Sequence, residues 1–249
     1  MRGCDVTLRV LSYNIENGGG RRLPAIARVI REQQPDVVAL LEATNRWAVA
    51  GLARYLGMRM VFGKANNPFH VAWLSRLPIE RTANHRLPGL AKTMLEIEVV
   101  WAGQPVQLFA THLAAGNDRL HPAEEAPVIV ERLCSVALGP HLLVGDFNAL
   151  HPDDVVGTPP PHFSDMHRSI DGDPRQAIRH ILAAGYVDCF RACHPDQPGY
   201  SFPADRAWLR LDYVFAPPAM AARLSACDLV SIEQARRASD HLPLLAEFR

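Results

Sequence analysis

The chain has 249 residues, a length that fits one large domain or two small ones. Lys plus Arg and Asp plus Glu both number 26, so the formal net charge is zero, which excludes binding of long nucleic acid through bulk positive charge. Apolar residues make up 48%, enough for a large core, and no apolar run approaches the roughly 20 residues of a membrane span.

Leu8-Arg9-Val10-Leu11-Ser12-Tyr13 alternates and predicts a strand. It ends at Asn14 and runs into the Gly18-Gly19-Gly20 loop. Leu23 to Gln33 carries Ile26, Val29 and Ile30 at helical spacing, with Pro24 suited to a first turn. Val37 to Leu41 is a short buried strand that stops at Glu42, and a helix follows over about Trp47 to Leu56. Val71 to Leu74 and Thr93 to Trp101 read as paired strands. Val106 to Thr111 is a strand ending at His112, and Glu124 to Leu138 is the strongest helical pattern. Leu142-Leu143-Val144 is a strand ending at Gly145-Asp146. Residues 151–175, rich in Pro, Asp and His, predict a long surface loop. Ile178 to Ala184 is a short helix closed by Gly185, and Leu211 to Phe215 and Pro243 to Phe248 are late strands. No repeat or linker divides the chain, so one catalytic domain over 1–249 is expected.

The five cysteines are scattered without a Cys-x-x-Cys pair, and the N-terminus has no apolar signal region. Structural thiols in a reducing cytoplasm are the expectation, with no membrane attachment and no obligate protein partner.

Polar residues able to do chemistry recur at the ends of apolar strands: Asn14, Glu42, His112, Asp146 and Asn148. Strand-end loops are where scaffolds carry function. A carboxylate in the position of Glu42 needs a partner or a metal, although a cap or salt bridge serves equally. In Gly145-Asp146-Phe147-Asn148, extended backbone would turn Asp146 and Asn148 to one side and Phe147 into the core. A proton-accepting carboxylate beside an orienting amide suits hydrolysis, while an Asp/Asn turn is the plainer reading. Asp240-His241 offers an oxygen ligand beside an imidazole, or an Asx turn before the last strand. Asp212 lies within an apolar strand and wants a donor, for which a histidine ring suffices.

Together and in this order, Ser12-Tyr13-Asn14-Ile15, Leu41-Glu42, Thr111-His112-Leu113, Gly145-Asp146-Phe147-Asn148, Leu211-Asp212-Tyr213-Val214 and Ser239-Asp240-His241 resemble the motifs of the endonuclease/exonuclease/phosphatase superfamily. That group includes pancreatic deoxyribonuclease, abasic-site endonucleases and bacterial sphingomyelinases. The resemblance covers nearly the whole chain. It implies a four-layer α/β sandwich, with two mostly antiparallel β-sheets packed face to face and flanked by helices. It also implies Glu42 as the principal Mg2+ or Mn2+ ligand, with Asn14 beside it and Asp240 on the same or a second ion. Asp146 would activate water, with Asn148 as its partner. His241 would be hydrogen-bonded to Asp212, and His112 would donate to a phosphate oxygen or the leaving group.

The implied reaction is hydrolysis of a phosphodiester in nucleic acid or a nucleotide-like molecule. The alternatives are a phosphomonoesterase acting on a small metabolite, and an inactive binding module of the same fold. Inactivity would show as lost motif residues, and all are present. The loop after His112 is short and lacks the aromatic and basic insertions with which abasic-site enzymes grip DNA. Tyr200 to Arg206 resembles a short substrate loop in small bacterial members of unassigned substrate. Lysine occurs only at 64 and 92, so phosphate contacts would fall to arginine; Arg168, Arg175, Arg206 and Arg210 are the candidates, with solvated surface positions as the alternative.

Overall fold

The computed structural model describes residues 7–116, 118–137, 139–159 and 173–249. Its strands are β1 (Leu8–Asn14), β2 (Val37–Leu41), β3 (Arg59–Gly63), β4 (Val71–Ser75), β5 (Ile79–His85), β6 (Met94–Trp101), β7 (Gln104–His112), β8 (His141–Asp146), β9 (Val187–Asp188), β10 (Asp212–Ala216), β11 (Leu224–Leu229) and β12 (Leu244–Phe248). The helices are α1 (Leu23–Gln33), α2 (Arg46–Leu56), α3 (Pro122–Val136), α4 (Gln176–Ala183), α5 (Cys189–Cys193), α6 (Pro218–Ala221) and α7 (Glu233–Ala238). None is long and apolar enough to cross a membrane.

The strands form two six-stranded sheets, ordered β11-β12-β1-β2-β4-β3 and β5-β6-β7-β8-β10-β9. Both are mixed: β1 runs parallel to β2 and β7 parallel to β8, and the other pairings are antiparallel. Period-2 alternation assigns the faces. Leu8, Val10, Val37, Ala39 and Trp73 meet Ile97, Leu108, Ala110, Val144 and Val214 between the sheets. Leu11, Tyr13, Val38 and Leu40 face the other way, onto Ile26, Val29 and Ile30 of α1 and Val49 and Leu52 of α2. On the second sheet Phe109, Leu143 and Phe215 pack under Ile129 and Leu133 of α3 and Ile178 of α4. This is the expected four-layer sandwich.

Asn45 caps α2, its side chain accepting from the backbone N–H of Trp47 and Ala48. At α3, Glu124 accepts the His121 N–H at 2.8 Å, with Pro122 opening the helix.

Two expectations change. Val71–Leu74 and Thr93–Trp101 do not pair: β4 lies in the first sheet and β6 in the second. They face each other across the core, where Trp73 Nε1 donates to Leu95 O at 3.0 Å. Alternation identifies a strand but not its partner. The true neighbours, β3 and β5, are edge strands with much of their surface exposed, which blurs their pattern. The loop predicted at 151–175 contains no helix or strand in 151–159 or 173–175, and residues 160–172, including Arg168, lie outside the described residues.

Candidate active site

The inter-sheet rows of side chains turn polar as they reach one rim of the sandwich. Along β1, Leu8, Val10, Ser12 and Asn14 share a face; along β7, Leu108, Ala110 and His112; along β8, Leu142, Val144 and Asp146; along β10, Ala216, Val214 and Asp212. Each candidate is thus the last position of a core-facing row. Register then sets His112 opposite Asp146, and Asp146 opposite Asp212, on three adjacent strands. Gly145 makes this approach possible. Its φ is +149°, and a Cβ there would sit 1.8 Å from Thr111 O on the neighbouring strand.

Across the gap, Asn14 Nδ2 donates to Asp146 Oδ2 at 3.0 Å and to Glu42 Oε1 at 3.2 Å. Glu42 adopts a left-handed backbone, φ 58°, at the end of β2, and its other oxygen accepts the Asn17 N–H at 2.8 Å. Asp146 is buried and also accepts the Asn148 N–H at 3.0 Å. The Nε2 atoms of His112 and His241 lie 3.4 and 3.7 Å from Asp146 Oδ2. His241 Nδ1 donates to Asp212 Oδ2 at 2.8 Å. Ser239 Oγ donates to Asn14 O at 2.6 Å, tying the segment that carries Asp240 and His241 to β1.

These contacts set the charge states. Burial outweighs every other influence on Asp146 and raises its carboxyl to about 7; the charge of His241 and the Asn14 and Asn148 donors oppose the rise. Burial disfavours charge on His241, but Asp212 and Asp146 overcome it and raise the imidazole to about 10. His112 goes the other way: burial, then Lys92 and His241, hold it neutral. The site therefore presents an imidazolium, a carboxyl that titrates near neutrality and a neutral imidazole.

Buried polar atoms without a hydrogen-bond partner gather at this rim. They include Asp212 Oδ1, His112 Nδ1, Ser12 Oγ and Tyr13 Oη. Orphaned buried groups are rare in folded proteins and concentrate where a ligand belongs.

Two donor sets here fit a divalent cation. One atom each of Asp146, Asp212 and His241 fall within 4.8 Å of one another, but Asp212 and His241 already share a hydrogen bond. Glu42, Asn14 and Asp240 form the second set. Burial raises Asp240; His241 opposes this, while the Glu16 and Glu42 carboxylates add to the rise. Such crowding of oxygens, with Glu42 accepting only amide N–H groups, is the chemistry a hard cation relieves. Glu16 is paired with Arg22 and is not needed for it.

A cleft of about 770 Å³ opens over the rim, bordered by Glu42, His112, Asp146, Asn148, Asp240 and His241. The arginine expectations need correction. Arg210 is buried beneath, with Nε on Asp154 Oδ2 at 2.8 Å and Nη1 on Asp188 Oδ2 at 2.6 Å. Its desolvated guanidinium is saturated by these acids and has no donor for substrate. Arg175 straps the backbone carbonyls of His151, Pro152 and Asp154. Arg206 is exposed beside Asp205 and is not among the residues lining the cleft. Asn148 is not on extended backbone: β8 ends at Asp146, and Asn148 turns left-handed with φ 45°. The turn reading and the site reading thus hold together, and Phe147 is buried as expected.

Lys92 escaped the sequence analysis. It is buried, lines the cleft and donates to Leu113 O at 2.7 Å and Asp118 Oδ2 at 2.9 Å. Its rarity in a chain with two lysines was the available signal.

No curated protein sequence matches the chain. Solved structures do. An AP endonuclease from Archaeoglobus fulgidus superposes with a TM-score of 0.79 at 24% identity, over 97% of this chain and 99% of that one. A 3′ phosphatase from Neisseria, solved with a product DNA hairpin, gives 0.77 at 23% over the same shares. A humanized D. rerio TDP2 gives 0.69 at 19%, over 98% of this chain and 99% of that one. At these identities the likeness is one of fold. Residues 11–241, from the middle of β1 to His241, match the model of the Endonuclease/Exonuclease/phosphatase family, and the chain belongs to that family of hydrolases acting on phosphate esters.

Proposed function

We propose that the protein is a divalent-metal-dependent phosphoesterase that hydrolyses a phosphodiester, in nucleic acid or a nucleotide-like molecule, by attack of water activated by Asp146. The observation that carries this reading is the bridge of Asn14 between Glu42 and Asp146, which joins a cation-suited donor set to a titrating carboxyl. Glu42, Asn14 and Asp240 would hold Mg2+ or Mn2+, which when bound neutralises charge on the non-bridging phosphate oxygens.

Asp146, ionised, accepts the proton of the attacking water. The Asn148 N–H and the Asn14 amide fix its oxygens, so little reorganisation accompanies the transfer. His241 is held by Asp212 with Nε2 toward the reacting centre, where its positive charge stabilises the developing phosphorane oxygens. Neutral His112 offers a hydrogen bond to a phosphate oxygen or the leaving group. Burial of these groups makes each interaction stronger than it would be in water.

A second reading, a monoesterase for a small phosphorylated metabolite, is favoured by one observation: no arginine lines the cleft among the described residues. A release assay on bis-p-nitrophenyl phosphate, p-nitrophenyl phosphate and plasmid DNA separates the readings. The diester is expected to turn over fastest with Mg2+, EDTA to abolish the activity, and Glu42→Ala to remove it at millimolar Mg2+. Full activity in chelator contradicts the role of Glu42.

A further inference from the structure

The reactive rim occupies one end of the cleft; the far end has a different character. Phe69 from the loop between β3 and β4, Phe202 and Trp208 from the loop 199–211, and Leu120 ahead of α3 line it. Phe202 lies against the His241 ring, with centroids 4.7 Å apart, so this apolar surface begins at the reacting centre. A volume of about 770 Å³ is that of sites for drug-sized molecules.

The charges at the far end are those of Lys92, Asp118, Glu124 and Asp173. The Lys92 ammonium is committed to Leu113 O and Asp118. Asp173 is paired with Arg179. Glu124 accepts only the His121 N–H, at 2.8 Å, and keeps its negative charge unopposed. Arg210 and Arg206 are directed elsewhere, as described. Among the described residues, the far end therefore has aromatic faces and one uncompensated carboxylate but no free cation. A nucleic-acid strand brings one negative charge per nucleotide and is ordinarily met by Lys and Arg. Aromatic faces instead take a planar or apolar group, worth about 1–3 kcal/mol per stacked base.

We propose that the substrate is an ester of a single phosphate whose alcohol portion is aromatic or apolar and sits against Phe69, Phe202 and Trp208, and that Glu124 repels a second phosphate. This rests on the phosphoesterase reading and narrows it, setting aside long nucleic acid in favour of a molecule that fits within the cleft.

Two probes with the same scissile bond test it: the p-nitrophenyl ester of thymidine 5′-phosphate, and the same compound carrying an added 3′-phosphate. With Mg2+, the first is expected to have a kcat/KM at least tenfold higher, the difference residing in KM. Glu124→Gln retains the helix-capping acceptor and should narrow the ratio several-fold. Phe69→Ala should raise KM for the first probe with little change in kcat. Equal or better turnover of the doubly phosphorylated probe, or a ratio unmoved by Glu124→Gln, overturns the proposal. If neither probe is hydrolysed, the phosphoesterase reading is what has failed. Calorimetric binding of thymidine 5′-monophosphate and thymidine 3′,5′-bisphosphate then decides the selectivity: tighter monophosphate binding upholds it, and equal or reversed affinities refute it.

Discussion

Two buried charge clusters sit within one fold and are built on opposite terms. Around Arg210, the guanidinium bonds both Asp154 oxygens and Asp188, and Arg191 adds a further contact to Asp154. At the rim, by contrast, Asp146 lies beyond good hydrogen-bond distance of both imidazole Nε2 atoms, and Asp212 and His112 each keep a buried polar atom without a partner. A saturated cluster holds the fold together. An unsaturated one holds strain and charge for something that arrives. The number of charged groups does not distinguish the two; their completeness does.

That contrast predicts opposite responses to mutation. His241→Ala should lower kcat/KM by about 10³-fold or more, the scale of losing a preorganised charge at the reacting oxygens. It should leave the melting temperature unchanged or raised, because it removes a buried cation that burial disfavours. A drop in stability with activity retained would reverse the assignment of the two clusters. Arg210→Met should do the opposite, destabilising by about 3–5 kcal/mol because Asp154 and Asp188 are left buried and unpaired. Activity per folded molecule should change little, as read by urea denaturation alongside turnover.

Glu125 provides an intermediate test. It is buried in α3, and its two oxygens hold the backbone N–H groups of Ala91, at 2.7 Å, and Ala114. Burial raises it from 4.5 to about 7 despite those donors and Lys92. The folded value lies above the unfolded one, so its stabilisation is complete below pH 4.5 and is lost as pH rises through 7. Unfolding free energy should therefore fall by at most about 3 kcal/mol between pH 4.5 and 8 through this group. Glu125→Gln should flatten that slope; an unchanged slope would remove Glu125 as its source. The smallest effect is expected at Arg206, exposed and paired only with its neighbour Asp205. Arg206→Ala should stay within about 0.5 kcal/mol in stability and about twofold in kcat/KM, and a larger loss of kcat/KM would return it to the substrate site.

The same contrast explains what the residues disclosed in advance. Asn14, His112, Asp146 and Asp212 were legible because each extends a core-facing row of apolar residues by one polar position. The rows themselves predicted β1, β2, β7, β8, β10 and β12. Arg210 was misread because a charge beside an apolar strand looks the same in sequence whether its acids lie 22 and 56 residues away or whether it waits for a ligand. The pairing of β4 with β2 and β3, rather than with β6, is likewise a long-range fact that alternation does not encode. The edge strands β3, β5 and β11 were hidden because exposed positions interrupt their alternation. Lys92 gave no periodic signal, since its role depends on Asp118 and the carbonyl of Leu113 meeting it in space.

The central claim is that Asp146 is buried for chemistry and not for stability. The most direct measurement compares wild type and Asp146→Asn for Mg2+-supported hydrolysis of bis-p-nitrophenyl phosphate, with melting temperature recorded on the same samples. The account predicts a loss of about 10³-fold or more in kcat, with a melting temperature equal to or above that of wild type. Comparable turnover by the two proteins, or a variant that loses activity only because it unfolds, would contradict it.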